Sequence, residues 1–290
     1  MQNRPLEQAS IGARALADCV KRWKLTAREP GFETNSSWLQ KVSAPQPAVL
    51  KIAKPDSDER PGMALLDWWQ GQGAIGVLRR SEDAILMVEA SEKLALGDPV
   101  QFDDHAAFEI LVGTAAALHG QRVKPDLMPD GLVPLTAVRE HVFTLAAVGE
   151  SCFDLWRPFA QTLDLMGAAP EPLHGDIHHG NVLRDEISGD WVVIDPKGLY
   201  GHLAYDFANL FFNPMDQPAR VAQPERMMGL AAYIERKVPG IADRHVVLDF
   251  AYLYGGMSLL WGWHETWAPQ RLQQFQMLEK LRNQAFEQHH

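Results

Sequence analysis

Residues 174-HGDIHHGN-181, followed after a short run by 191-WVVIDPKG-198, decide how this chain is read. Three histidines, an aspartate and an asparagine fall within eight positions, and Asp195 stands fourteen residues beyond Asn181 at the end of an apolar, strand-like run. The segment 182-VLR-184 and the run 191-WVVID-195 form a hairpin around 185-DEISGD-190, so that Asp176, Asn181 and Asp195 converge.

Two chemistries compete for such a cluster. Neutral imidazoles beside a carboxylate can hold zinc, and the Asp-x-His fragment resembles a piece of the binuclear metallophosphoesterases. Further metal partners are scarce, because His119, His202, His245 and His264 stand singly in helical stretches. As plain scaffolding, His174 and His178 would bond backbone carbonyls and do no chemistry. Phosphoryl transfer needs a carboxylate for the hydroxyl proton, oxygen ligands for Mg²⁺, a lysine on the phosphates and a carboxylate to hold that lysine.

The rest of the chain is built to surround such a site. Its 290 residues, 46% of them hydrophobic, suffice for a large core. With 27 basic and 37 acidic residues the formal charge is -10, which argues against a nucleic-acid or anionic-membrane partner. Cys19 and Cys152 stand far apart, so neither a disulfide framework nor a zinc ribbon is expected. No apolar stretch is long enough to span a bilayer and no signal-like apolar region opens the chain, so a soluble cytoplasmic protein is expected.

Residues 8–24 read as an amphipathic helix, followed by strand-like runs at 38–42, 48–53 and 84–89 and a helical segment at 58–70. A helix is expected over 103–119, capped by Gly120, and helical periodicity resumes between Leu135 and Leu165 with a break at Pro158. From Ala204 the chain is helical, punctuated by Pro214, Pro218, Pro224, Pro239 and Pro269. This predicts an α+β protein of two lobes: residues 1–90 with a small sheet and a helix, and residues 91–290, mainly helical.

The string LHGDIHHGNVL…WVVIDPKGLYGHLAYDFANLFFNP resembles the catalytic region of aminoglycoside phosphotransferases, whose HGDxHxxN replaces the HRDxxxxN of protein kinases. The continuation IDPKG, the segment AYDFANLFFNP and the earlier WWQGQGAIGVL resemble the streptomycin 6-kinase and hydroxyurea-resistance branch. The resemblance implies a two-lobed, protein-kinase-like fold using ATP and Mg²⁺, with residues 1–90 as nucleotide-binding lobe and 91–290 as catalytic and acceptor-binding lobe. It makes Asp176 the catalytic base, Asn181 and Asp195 the Mg²⁺ ligands, and His174, His178 and Asp206 supports of the catalytic loop. Lys51 becomes the phosphate-contacting lysine and Glu59 its partner, although Pro61 and Gly62 fall where that helix should be starting. Ser36 and Ser37 of 34-TNSS-37 become the phosphate-covering turn, and the backbone at Glu89 and Ala90 the contact to adenine.

The implied acceptor is a small molecule with a hydroxyl group, such as the aminoglycoside streptomycin. Trp261 and Glu265 in the aromatic-rich 254-YGGMSLLWGWHETW-267 are candidate acceptor contacts, with ordinary core packing as the competing reading for Trp261. A kinase of a sugar or amino alcohol, a metallophosphoesterase and a non-catalytic nucleotide-binding module are the alternatives at this point.

Overall fold

The computed structural model describes residues 4–7, 10–43, 46–55, 57, 59–91, 96, 98, 103–120, 128–138, 140, 170–185, 187–238, 240–241, 243–262 and 264–287. Of the helix expected between Leu135 and Leu165, residues 135–138 and 140 are helical. The stretch 141–165 with its break at Pro158 lies outside the described residues, as do Cys152 and Pro239.

The N-terminal part contains β1 (Arg4–Pro5), α1 (Ile11–Trp23), β2 (Thr26–Ala27), β3 (Phe32–Glu33), β4 (Ser37–Ser43) and β5 (Pro47–Ala53). It continues with α2 (Glu59–Trp69), β6 (Val77–Arg80), β7 (Ala84–Val88) and β8 (Ala90–Ser91). Its seven-stranded sheet runs in the order β1-β3-β4-β5-β7-β6, with β2 on β4. Strand alternation decides what each face carries. Ala48, Leu50 and Ile52 of β5 pack under Leu16, Cys19 and Trp23 of α1. The intervening Lys51 therefore belongs to the opposite face, toward α2.

Local chemistry sets the helix ends. The Ser10 hydroxyl caps α1 by accepting from the Ala13 amide at 3.2 Å, and Lys24 closes the helix in the left-handed conformation at φ 56°. Helix α2 starts at Glu59 despite Pro61, because a first-turn proline lacks only an amide hydrogen that the helix does not use. Gly62 has a separate reason: a β-carbon there would collide with the Pro196 carbonyl. The difficulty that the sequence posed at this helix start is resolved by tertiary contact.

The remaining chain contains α3 (Asp104–His119), β9 (Val133–Pro134), β10 (Glu171–Leu173), β11 (Val182–Asp185), β12 (Trp191–Val193) and β13 (Leu199–Gly201). Helix α4 (Tyr205–Ala208) runs into a 3₁₀ turn at Asn209–Phe212, followed by α5 (Pro218–Val221), α6 (Pro224–Lys237), α7 (Arg244–Trp261) and α8 (Ala268–Glu287). Pro218 and Pro224 open α5 and α6, where the fixed proline φ suits a first turn. The expected β11–β12 hairpin forms, and β8 joins it as a third strand, Ala90 opposite Asp185 and Ser91 opposite Arg184. A second small sheet orders β10-β13-β9.

One hydrophobic core crosses residue 90: Met63, Leu66 and Trp69 of α2 belong to the same cluster as Leu111, Val193, Phe207 and Leu253. Among the described residues no helix is long and apolar enough to cross a membrane.

Candidate active site

Lys51 is 4% exposed, and its ammonium lies 2.5 Å from Glu59 Oε2 and 2.8 Å from Asp195 Oδ1. Burial alone would lower its pKa; the charges of Asp195 and Glu59 outweigh burial and raise it, so the lysine stays charged. Asp195 shows the reciprocal effect. Burial pushes its carboxyl upward, but Lys51 overrides this and holds it below the usual carboxylate range. Its backbone is left-handed at φ 57°, a conformation that aspartate tolerates better than most residues.

The histidines form the frame of the 174–181 loop. Burial lowers the His174 pKa and keeps the ring neutral. Its Nε2 donates to the Ile194 carbonyl at 2.8 Å and its Nδ1 accepts from the Asp176 amide at 3.2 Å. His178 Nδ1 accepts from the Gly180 amide at 3.0 Å. His179 is 8% exposed, and burial with the nearby Arg226 charge lowers its pKa to about 3. Both His174 nitrogens and one of His178 are thus engaged by backbone, which leaves few imidazole lone pairs for zinc. Among the described residues no three His, Cys, Asp or Glu side chains converge as a metal set.

Asp206 anchors the loop from below, accepting from the amides of His174 at 2.9 Å and Gly175 at 2.6 Å. Its Oδ2 also lies 3.0 Å from His119 Nε2, and His119 Nδ1 lies 3.3 Å from Glu171 Oε2. Burial opposes charge on His119, but the bonds to Asp206 and Glu171 prevail and raise its pKa to about 9. An imidazolium between two carboxylates therefore ties α3 to the start of the 174–181 loop. His119 looked like an isolated helical histidine in the sequence, since its partners lie 52 and 87 positions away.

Asp176 and Asn181 lie side by side: Asn181 Nδ2 donates to the Asp176 carbonyl at 2.9 Å and approaches Asp176 Oδ2 at 3.5 Å. With its amide nitrogen so engaged, Asn181 has Oδ1 left to offer a cation. The Ile194 amide donates to the Asn181 carbonyl at 2.9 Å, which draws Asn181 toward Asp195 across the hairpin. An amide oxygen with a carboxylate is a hard-oxygen donor set, which fits Mg²⁺ accompanied by phosphate oxygens and water. Lys197, two residues on, is exposed and makes no ion pair among the described residues. Its amide donates to the His174 carbonyl at 2.7 Å, and a β-carbon on Gly175 would lie 3.2 Å from Lys197 Cβ. The lysine stem therefore lies against the residue preceding Asp176.

A cleft of about 620 Å³ opens beside these groups, lined by Met87, Glu89 and Ala90 from one side and Leu183, Ile194 and Asp195 from the other. Such apolar walls between two layers suit a planar heterocycle. Two expected nucleotide contacts are already engaged. The Glu89 amide donates to the Pro47 carbonyl at 3.2 Å, and its carboxylate pairs with Arg28 and Lys41. Ala90 belongs to the β8–β11 ladder. The Ser36 hydroxyl donates to Glu59 Oε1 at 2.5 Å, bracing that carboxylate. Ser37 is fully buried, with no hydrogen-bond partner for its Oγ, so it faces the interior.

Trp261 lies at the C-terminal end of α7, 47% exposed, and Glu265 is in the exposed turn before α8. Among the described residues no hydrogen bond or ion pair joins either to Asp176, Asn181 or Asp195. Trp69 stacks on His174 with ring centroids 6.4 Å apart, and Tyr205 and Tyr254, whose centroids lie 5.9 Å apart, both feel the Asp176 charge.

Residues 22–265 match the family described as aminoglycoside/hydroxyurea antibiotic resistance kinase. The chain is 40% identical over 210 residues to a streptomycin 3''-kinase of Klebsiella pneumoniae, an alignment spanning 69% of this chain and 74% of that protein. It is 28% identical over 198 residues to a streptomycin 6-kinase of Streptomyces glaucescens, spanning 65% and 63% respectively. In fold it is similar to the crystal structure of choline kinase from Cryptosporidium parvum Iowa II, with a TM-score of 0.60, 12% identity and coverage of 95% and 97%. The α+β, kinase-like architecture is that expected from the sequence.

Proposed function

This chain belongs to the aminoglycoside/hydroxyurea antibiotic resistance kinase family, and on that premise we propose that it transfers the γ-phosphoryl group of ATP to a hydroxyl of streptomycin or a closely related aminoglycoside. The observation carrying the proposal is the convergence of Lys51, Asp176, Asn181 and Asp195, drawn from β5, the catalytic loop and the end of the hairpin. The 40% identity to a streptomycin 3''-kinase, against 28% to a 6-kinase, favours the 3'' hydroxyl.

In this reading residues 1–90 serve the nucleotide and residues 91–290 supply catalysis and acceptor binding, in a cytoplasm that provides ATP. The base lies in the cleft between Met87 and Leu183, against the backbone at Glu89 and Ala90. Lys51, steadied by Glu59, meets the phosphates as a point charge, with the Ser36–Ser37 turn beside them. Asn181 Oδ1 and the Asp195 carboxylate would hold Mg²⁺, which neutralises phosphate charge when bound. Asp176 takes the acceptor hydroxyl proton as the acceptor oxygen bonds to the γ-phosphorus and the bond to the ADP oxygen breaks. Lys51 is shared between two carboxylates, and Lys197, which makes no ion pair among the described residues, offers a further positive charge to the phosphoryl group in transfer. Aminoglycosides are cationic, which suits a chain of net charge -10.

Incubation with Mg-ATP and a panel of aminoglycosides, sugars and amino alcohols, read by mass spectrometry, tests the proposal. Streptomycin is expected to gain one phosphate. Phosphate on a sugar or amino alcohol and none on any aminoglycoside would overturn the acceptor class; phosphate on none would overturn the kinase reading.

A further inference from the structure

A second amide rests on Asp176. Asn209, the first residue of the 3₁₀ turn, is 4% exposed and donates from Nδ2 to Asp176 Oδ1 at 2.9 Å. A carboxamide taken alone could be turned end for end, which would set an oxygen against the carboxylate. Here the orientation is fixed. Asn213 Nδ2 donates to Asn209 Oδ1 at 2.7 Å and to the Asn209 carbonyl at 3.0 Å, so a reversed amide would bring two donors together. Asn213 is 7% exposed, and its own carbonyl accepts from Arg226 Nη2 at 2.9 Å. Arg226 Nε in turn donates to Asp104 Oδ1 at 3.0 Å. A continuous chain of hydrogen bonds thus runs from the start of α3, through α6 and the turn, to Asp176.

The two oxygens of Asp176 are consequently unequal. Oδ1 carries the Asn209 donor, whereas Oδ2 meets only the marginal 3.5 Å approach of Asn181 Nδ2 among the described residues. We propose that Asn209 is a positioning residue for phosphoryl transfer: its locked amide occupies Oδ1 of Asp176 and reserves Oδ2 for the acceptor proton. The inference rests on the kinase reading above. In the step it serves, the acceptor O–H proton passes to Oδ2 while the acceptor oxygen bonds to the γ-phosphorus and the electron pair of the breaking P–O bond leaves with ADP. A carboxylate fixed at one oxygen keeps its other lone pair aligned, and alignment of reacting groups is worth large rate factors.

The test compares Asn209→Leu, Asn209→Asp and Asn213→Leu with wild type, measuring kcat, KM for ATP and acceptor, Mg-ADP affinity by calorimetry and thermal midpoint. Asn209→Leu removes the donor, and a loss in kcat of roughly 100-fold is expected, with both KM values and Mg-ADP affinity within about twofold of wild type. Asn209→Asp keeps an acceptor for Asn213 but sets a carboxylate against Asp176, and its kcat is expected to fall at least as far. Asn213→Leu frees the Asn209 amide without removing it and should give an intermediate kcat. Unchanged kcat in Asn209→Leu overturns the proposal, as does a fall in kcat matched by weakened Mg-ADP binding and raised KM, which marks a merely structural role. Should Asn209→Leu not fold, Asn209→Ser carries the same test with a smaller perturbation. Wild-type turnover of streptomycin decides the kinase reading separately, so its absence and an unaffected Asn209 variant are different observations.

Discussion

Gly62 and Gly198 meet backbone to backbone: a β-carbon on Gly198 would lie 2.6 Å from the Gly62 nitrogen, and one on Gly62 would run into the Pro196 carbonyl. The first turn of α2, which carries Glu59, is thereby seated on the loop that follows Asp195. Gly62→Ala is expected to push the two apart, destabilising the protein by about 1–3 kcal/mol and raising KM for ATP as Glu59 withdraws from Lys51. Thermal unfolding and ATP titration together check this; an alanine variant with unchanged values in both would show that the seat is not needed.

Asp176→Ala is expected to leave a folded, nucleotide-binding protein whose turnover falls by about 10²–10⁴-fold. Calorimetry with Mg-ATP separates binding from transfer. Near-normal turnover would remove Asp176 from the role of base.

Lys51→Met strips the shared cation from Glu59 and Asp195 while keeping the length of the side chain. Loss of about 10²–10³-fold in kcat/KM is expected from the missing phosphate contact. Stability should fall as well, because two carboxylates then face one another without a cation. Kinetics and denaturant unfolding read the two effects separately.

Lys197→Ala is expected to lower kcat by about 10–100-fold with ATP affinity within about twofold, since the charge acts on the group in transfer. Lys197→Arg keeps the charge and should recover part of the loss. Equal losses in the alanine and arginine variants would count against a role for the charge.

His119 gives a prediction in pH. Its folded pKa is raised to about 9 from an ordinary 6.5, so the charged ring stabilises the fold fully below pH 6.5 and the contribution disappears as pH rises through 9. The loss amounts to about 3 kcal/mol. Unfolding free energy measured from pH 6 to pH 10 should decline in wild type and be flatter in His119→Gln. Parallel profiles would place the titration elsewhere.

How legible each feature was depends on the distance over which its cause acts. Asp176 and Asn181 lie in one loop and Asp195 just after the hairpin that follows it, so a short stretch of sequence holds all three, whereas Lys51, 144 positions from Asp195, was legible only through the family resemblance. The two-residue strands β1, β2 and β3 are too short to show a period, and β6, an edge strand with a register shift and exposed Arg79 and Arg80, lacks an apolar pattern. His119 and Asn209 were hidden for another reason, since each acts through a partner more than 30 positions away. Ser37 is buried with its hydroxyl toward the interior, which composition could not show because a polar turn and the buried end of a strand read alike in sequence. Trp261 and Glu265 have the chemistry of acceptor contacts, but no strand or helix pairing visible in the sequence fixes their distance from Asp176.

The ladder between β8 and β11 has a metrical consequence. Ala90 and Ser91 hydrogen-bond with the strand that begins directly after Asn181, and that strand pairs with β12, which leads to Asp195. The edge of the cleft proposed for the base and the two oxygen donors proposed for the cation therefore hang from one small sheet. On the proposed reading, the span from base to cation is set by this one sheet, so the length of the polyphosphate is matched to a distance fixed by strand pairing.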